Sequence, residues 1–377
     1  MKTCRRKVGY HGDGGPRPEL GIVLRHGCNW VGPPSSNPHS HDEHTPCIHD
    51  EHCLPPTCIL LLHGLLAAFG LCAMPRCSDS ASDTARLCLV LTSRYISSYV
   101  VKILLEKGYT VHGTTRSTAP EKVKHLTRLP GAAERLKLFQ ADLLNEGAYD
   151  AAIAGCVGVF HMASPFFLAD QTEEALIPPA VDGTKNVMAS CIKLGVKKVV
   201  LTSSTAAVYV QYGAKPPEHV YTEEDWSNEE AMRAHNFWYA LSKQLAEQAA
   251  WSVVEGTDLA LVTMNPCLVV GPMLQPGLNT SCAAVLAYMN GSKTEIEATP
   301  KAIVDVRDVA LAHVLGMEKG DYEGRTLLIG ASFSWGDAKP WLADAVPECA
   351  TGFPAAQQDR SSLPPASDWA MGEAALR

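Results

Sequence analysis

From residue 87 onward the chain alternates short apolar runs with longer amphipathic stretches, and this alternation restricts its fold more than any other feature. The runs are LCLVLT (87–92), YTVHGTTR (109–116), LKLFQAD (136–142), VGVFHMAS (157–164), KKVVLTSS (197–204) and LALVTMNP (259–266). They are too short for helices and rich in β-branched residues, so they read as strands. Between them, residues 96–107, 148–154, 174–194 and 233–254 place apolar side chains at helical spacing. A strand–helix alternation of this length produces a parallel sheet covered on both faces. Right-handed crossovers then predict an α/β fold, a doubly wound Rossmann sheet with a small C-terminal substrate-binding part. Ligands of such sheets bind at the carboxyl ends of the strands.

Chemically suggestive residues gather at those ends. The stretch NFWYALSKQLAEQAAW carries Tyr239 and Lys243, four residues apart and therefore on one helix face. A nearby ammonium favours phenolate over phenol, which predicts a Tyr239 pKa lowered toward working pH, as a proton donor to a carbonyl requires. VVLTSSTAAVY closes a buried strand with the hydroxyls of Ser203, Ser204 and Thr205. Hydroxyls there also cap turns, but beside Tyr239 and Lys243 they complete a Ser/Tyr/Lys constellation.

The first 86 residues have another texture. They hold eight of the 14 histidines and seven of the 13 cysteines, with Gly/Pro-rich pieces such as HGDGGPRPELG, and they read as a low-order extension. HSHDEHTPCIHDEHC (39–53) mixes imidazole, thiol and carboxylate, but its spacing fits no closed structural zinc site, so no metal is expected. CILLLHGLLAAFGLCAM (58–74) is 17 residues with a histidine and two glycines, too marginal for a membrane anchor to be expected. The extension has eight Lys/Arg and eight Asp/Glu, so the formal charge of -8 belongs wholly to the remainder, which offers nucleic acid no basic footprint. Five irregularly placed cysteines beyond residue 88 suggest reduced thiols in the cytoplasm.

Residues 87 to about 345 resemble the extended short-chain dehydrogenase/reductases of the NAD-dependent epimerase/dehydratase superfamily. The resemblance is strongest to the branch of dihydroflavonol reductases, cinnamoyl-CoA reductases and related ketone or aldehyde reductases. It is carried by ILLEKGYTVHGTTR, LPGAAERLKLFQADLLNEGAYDAAIAGCVGVFHMASP, VVLTSS, YALSKQLAEQAAW, NPCLVVGP and VDVRDVALAH, in that order. It implies that Ser204 polarises a substrate carbonyl, Tyr239 donates the proton, and Lys243 tunes Tyr239 and holds the nicotinamide ribose. Asp142 and Leu143 would flank the adenine, Ala163 and Ser164 would line the cofactor cleft, and Pro266 and Leu268 would lie near the nicotinamide. At the end of the second strand an acidic residue suits the ribose of NAD, whereas an arginine suits the 2′-phosphate of NADP(H). The chain has Arg116 there, with Lys122 six residues on, so NADP(H) is the expected cofactor.

Substrate identity is less legible. Tyr209 occupies the position where dihydroflavonol reductases carry an asparagine, and NFWYALSK replaces the NWYCYGK signature of cinnamoyl-CoA reductases. A small-molecule carbonyl substrate is expected; a dehydratase, epimerase or sterol dehydrogenase of the same superfamily, or an inactive relic, is the alternative. The domain is expected to span 87–348, with its substrate part in 205–235 and 272–348 and a disordered tail over 349–377. One departure stands out: LTSRYISS has Ser93 and Arg94 where such turns carry glycines, which predicts weakened cofactor binding.

Overall fold

A computed structural model describes residues 85–90, 94–164, 172–216, 219–293, 301–335 and 338. The expectations for 1–84 and 349–377, and for Ser93, lie outside the described residues.

The strands predicted from apolar runs form as read, each a residue or more shorter. They are β1 (Arg86–Val90), β2 (Thr110–Thr115), β3 (Leu136–Gln140), β4 (Gly158–His161), β5 (Lys198–Thr202) and β6 (Ala260–Pro266). β9 (Gly324–Leu328) joins them in a seven-stranded sheet of order β3-β2-β1-β4-β5-β6-β9, with every neighbouring pair parallel. β1 lies between β2 and β4, so the strand order reverses beside it. That is the switch point where open α/β sheets bind ligands.

The period of two sorts each strand between two cores. Leu87 and Leu89 of β1 belong to a cluster with Phe160, Val200 and Val262. Cys88 and Val90 belong to another with Val159, Val199 and Leu261. The first is covered by α1 (Tyr95–Glu106) and α9 (Val306–Glu318), through Val100, Leu104, Val309 and Val314. The second is covered by α4 (Asp150–Ile153), α5 (Glu173–Lys193) and α7 (Trp238–Val254), through Ala152, Ile153, Val187, Met188 and Ala250. Short helices α2 (Pro120–Thr127) and α3 (Ala132–Arg135) connect β2 to β3.

The helix expected over 233–254 is two helices, α6 (Glu229–Ala234) and α7, separated where Asn236 adopts a left-handed φ of 54°. A left-handed residue cannot continue an α-helix, and Asn tolerates that conformation better than most side chains. The substrate side adds α8 (Thr280–Met289) and a small sheet of order β10-β8-β7, made of β7 (Leu268–Val270), β8 (Lys301–Asp305) and β10 (Ala331–Phe333). Among the described residues no helix is long and apolar enough to cross a membrane, and no cluster of His, Cys, Asp and Glu could hold a metal ion.

Candidate active site

Parallel strands bring their carboxyl ends to one edge of the sheet. β4 delivers Ala163 and Ser164, β5 delivers Thr202, Ser203 and Ser204, and β6 ends on Asn265 and Pro266. Above them runs α7, carrying Tyr239, Lys243 and Glu247 at spacings of four. A small cleft is lined by Ala163, Ser164, Thr184, Thr202, Ser203, Lys243 and Glu247. Three of the sequence-predicted residues, Ala163, Ser164 and Lys243, therefore meet in one place.

The two serines separate by the alternation of extended backbone. Ser203 is buried and donates to Glu247 Oε2 at 2.6 Å. Ser204 starts a 3-10 turn (Thr205–Ala207), where its side chain accepts from the Ala206 N–H at 3.2 Å. Its hydroxyl also bonds the Tyr239 phenol. Ser204 and Tyr239 thus come together as expected, while Ser203 faces inward.

The expected lowering of the Tyr239 pKa is not what the geometry gives. Burial dominates and pushes the phenol up, with the Ser204 hydrogen bond opposing it. Lys243 aims elsewhere: its Nζ donates to the Thr202 carbonyl at 3.3 Å. The lysine is 8% exposed, and burial pulls its pKa down to about 8 against the upward pull of Glu247. Behind it, His161 is fully buried with Nε2 3.2 Å from Thr184 Oγ1. Burial, helped by the Lys243 charge, lowers that imidazole to about 3, so it is neutral. Thr202 is pinned in turn by His313 of α9, whose Nε2 lies 2.8 Å from Thr202 Oγ1 and whose Nδ1 lies 2.7 Å from the Val309 carbonyl.

The residues named for the cofactor's far end sit at the ends of β2 and β3. Arg116 and Lys122 are both exposed. Arg94, the N-cap of α1, has its pKa lowered by burial and by the repulsion of Arg116. Two guanidinium groups that repel one another at a helix N-terminus form a donor set suited to phosphate. Asp142 is exposed and accepts the Leu144 N–H at 3.0 Å, so in this state it caps a turn. Leu143 packs over Gly183 of α5, where an added Cβ would lie 2.3 Å from it. Asn186, one turn further along α5, donates to the carbonyls of Leu143 (3.1 Å) and Asn145 (2.7 Å) and holds that loop. Pro266 ends β6 buried, its carbonyl 3.5 Å from Thr205 Oγ1, and Leu268 opens β7 half-buried. Tyr209 packs beside Tyr239, Trp238 and Met232, next to the serine turn. Nothing links Lys122 to Arg116 directly.

Sequence reasoning missed His161, Thr184, Glu247, Asn265 and Arg325. A signal existed for three: His161 and Asn265 interrupt apolar strand runs, and Glu247 continues the face of Tyr239 and Lys243.

Comparison with known proteins gives the family. The family described as "NAD dependent epimerase/dehydratase family" matches residues 92–330. A cinnamoyl-CoA reductase of Medicago truncatula is 47% identical over 248 residues, covering 64% of this chain and 75% of that protein. Among solved structures, vestitone reductase from alfalfa (Medicago sativa) superposes with a TM-score of 0.61 at 32% identity, over 70% of this chain and 83% of that one. Gre2 of Candida albicans, solved with NADPH, gives 0.65 at 30% identity, over 74% and 88%. The chain belongs to the NAD-dependent epimerase/dehydratase family, in the dihydroflavonol reductase and cinnamoyl-CoA reductase-like branch of the extended short-chain dehydrogenase/reductases.

Proposed function

We propose that the chain is an NADP(H)-dependent reductase of a small-molecule carbonyl compound: a ketone or aldehyde reduced to an alcohol, or a CoA thioester reduced to an aldehyde with release of the thiol. The observation that carries the reading is the Ser204–Tyr239 hydrogen bond beside the buried Lys243 at the carboxyl end of the sheet. The relatives support it, since they are named reductases and one was solved with NADPH.

The donor set fits the cofactor. Arg116, with Arg94 beside it and Lys122 nearby, would meet its phosphates; Asp142 and Leu143 would flank the adenine; Ala163, Ser164, Lys243, Pro266 and Leu268 would hold the nicotinamide half. When bound, NADPH supplies the hydride, which no side chain can provide. The chain's own residues do the rest. Ser204 donates a hydrogen bond to the substrate oxygen and polarises the carbonyl, and Tyr239 gives that oxygen its proton. A phenol whose pKa is raised by burial remains protonated and ready to donate at neutral pH. Lys243, one helical turn along α7 from Tyr239, brings a positive charge to the same cleft end, which favours the phenolate that remains. Tyr209, next to Tyr239, forms part of the substrate wall. The cytoplasmic setting is read from the irregular spacing of the five cysteines beyond residue 88. In domain terms, we assign catalysis to 87–348 and leave the extension and tail outside it.

The test is NADPH consumption with a panel of a cinnamoyl-CoA thioester, a dihydroflavonol and short aldehydes, with wild type and Tyr239→Phe side by side. Turnover should fall by at least ~10²-fold in the variant. Undiminished turnover would remove Tyr239 from the chemistry.

A further inference from the structure

Behind Lys243 lies a hub that the reductase reading does not use. Glu247 is fully buried. Its Oε1 accepts from Thr263 Oγ1 at 2.8 Å and from Arg325 Nε at 2.7 Å, and its Oε2 accepts from Ser203 Oγ at 2.6 Å and from Asn265 Nδ2 at 2.9 Å. Four donors converge on one carboxylate, one of them a permanent cation that is itself 8% exposed on its side chain. Asn265 also donates to the Ser204 carbonyl at 3.3 Å. Ser204 is thereby held from both sides: by its chain neighbour Ser203, and by Asn265 on the next strand.

Arg325 is fixed from outside. Its Nη1 donates to the carbonyls of Glu223 (2.8 Å) and Asp225 (2.5 Å), and its guanidinium carbon lies 3.7 Å from the centre of the Trp226 ring. The carboxylate is therefore paired with Arg325 of β9, and Lys243, one helical turn back on α7, lines the same cleft.

We propose that Glu247 is a positioning residue of the active site: it holds Ser203 and Asn265 on either side of Ser204, and it is the buried counter-charge to Lys243, with Arg325 balancing it from behind. The proposal rests on the reading of Ser204, Tyr239 and Lys243 as the reacting group. Other neighbours do not substitute for Glu247. His161 of β4 is neutral; Thr202 and Ser203 of β5, and Ala180 and Thr184 of α5, bring no charge to the cleft. Tyr239, on the same helix face as Lys243, carries its proton before the reaction.

Because the hub works through charge, removing its two members must move Lys243 in opposite directions, which a merely structural role would not do. The experiment is a pH titration of the full chain containing lysine labelled with ¹³C at Cε, with the Lys243 resonance identified by its loss in Lys243→Arg. No cofactor or substrate is needed. Glu247→Gln keeps the volume and removes the negative charge, so the titration should move down by about one pH unit. Arg325→Met removes the competing cation, and the titration should move up by a similar amount. Glu247→Asp keeps the charge and should restore the midpoint toward wild type. Unmoved titrations, or shifts in the same direction for Glu247→Gln and Arg325→Met, overturn the proposal. If Glu247→Gln does not fold, Arg325→Met and Glu247→Asp decide alone, since the absence of an upward move in the former is equally fatal. Tyr239→Phe with full turnover would instead refute the reductase reading and leave the titration result standing.

Discussion

Lys243 should lower the stability of the protein that depends on it. An ordinary lysine titrates near 10.5, and in the fold this one is pulled down to about 8, with burial as the first cause. The unfolded chain therefore holds that proton more tightly than the folded one. At 1.36 kcal/mol for each pH unit, keeping the lysine charged in the fold costs about 3 kcal/mol. The sign follows from proton linkage. The cost is fully present below about pH 8 and fades as pH rises toward 10.5, where both states become neutral. Lys243→Met keeps the unbranched stem and removes the charge. It also leaves the Thr202 carbonyl without its 3.3 Å donor, a loss of about 1 kcal/mol. The variant should be more stable than wild type by about 2 kcal/mol at pH 7, or about 1 M in the urea midpoint at 25 °C for a slope near 2 kcal/mol/M. At pH 9.5 the wild-type cost has shrunk by roughly 2 kcal/mol, and the two unfolding curves should nearly coincide. Urea titrations at both pH values, followed by tryptophan fluorescence, read this directly. A variant no more stable than wild type at pH 7, or a gap that does not change with pH, would refute the argument that burial of this charge opposes folding.

Arg116→Ala should raise the apparent constant for NADPH far more than that for NADH; equal effects would mean that the guanidinium does not meet a 2′-phosphate. Ser204→Ala should lower turnover by at least ~10²-fold, whereas Ser203→Ala should act mainly on stability, by about 1 kcal/mol or more, because it removes a donor from the buried Glu247. Restoring TGASG before Tyr95 should tighten NADPH about 10-fold, or 1.4 kcal/mol, in a fluorescence titration, since glycines let backbone N–H groups approach a pyrophosphate.

Six of the seven strands of the large sheet were legible because they are apolar runs whose length and composition leave no competing element; β9, whose first three residues are only half-buried, was not. The small strands were not. β7 and β10 have three residues each, too few to display any period, and β8 begins with half-buried residues that blur it. The break at Asn236 was hidden because apolar spacing continues through Phe237 and Trp238 into α7. At the site, Tyr239 and Lys243 could be read because four residues on a helix fix a shared face. The direction of the Tyr239 shift could not, since it depends on burial by side chains distant in sequence. Glu247 looks in sequence like one more charge on an amphipathic helix. Only the arrival of Arg325, 78 residues later, shows that this face is inside.

The order of the sheet has a consequence for how the chain folds. No two neighbouring strands are joined by a hairpin, so each pairing waits for a long crossover to close, which makes folding slow. β4, β5, β6 and β9 nevertheless add to β1 in the order in which they are synthesised. Arg325 arrives on the last of them. Until β9 docks against β6, Glu247 has no guanidinium beside it, and a carboxylate buried without its cation is strongly unfavourable. The final edge strand is thus also the step that makes the interior of the catalytic helix electrically tolerable, so the site is completed only when the sheet is.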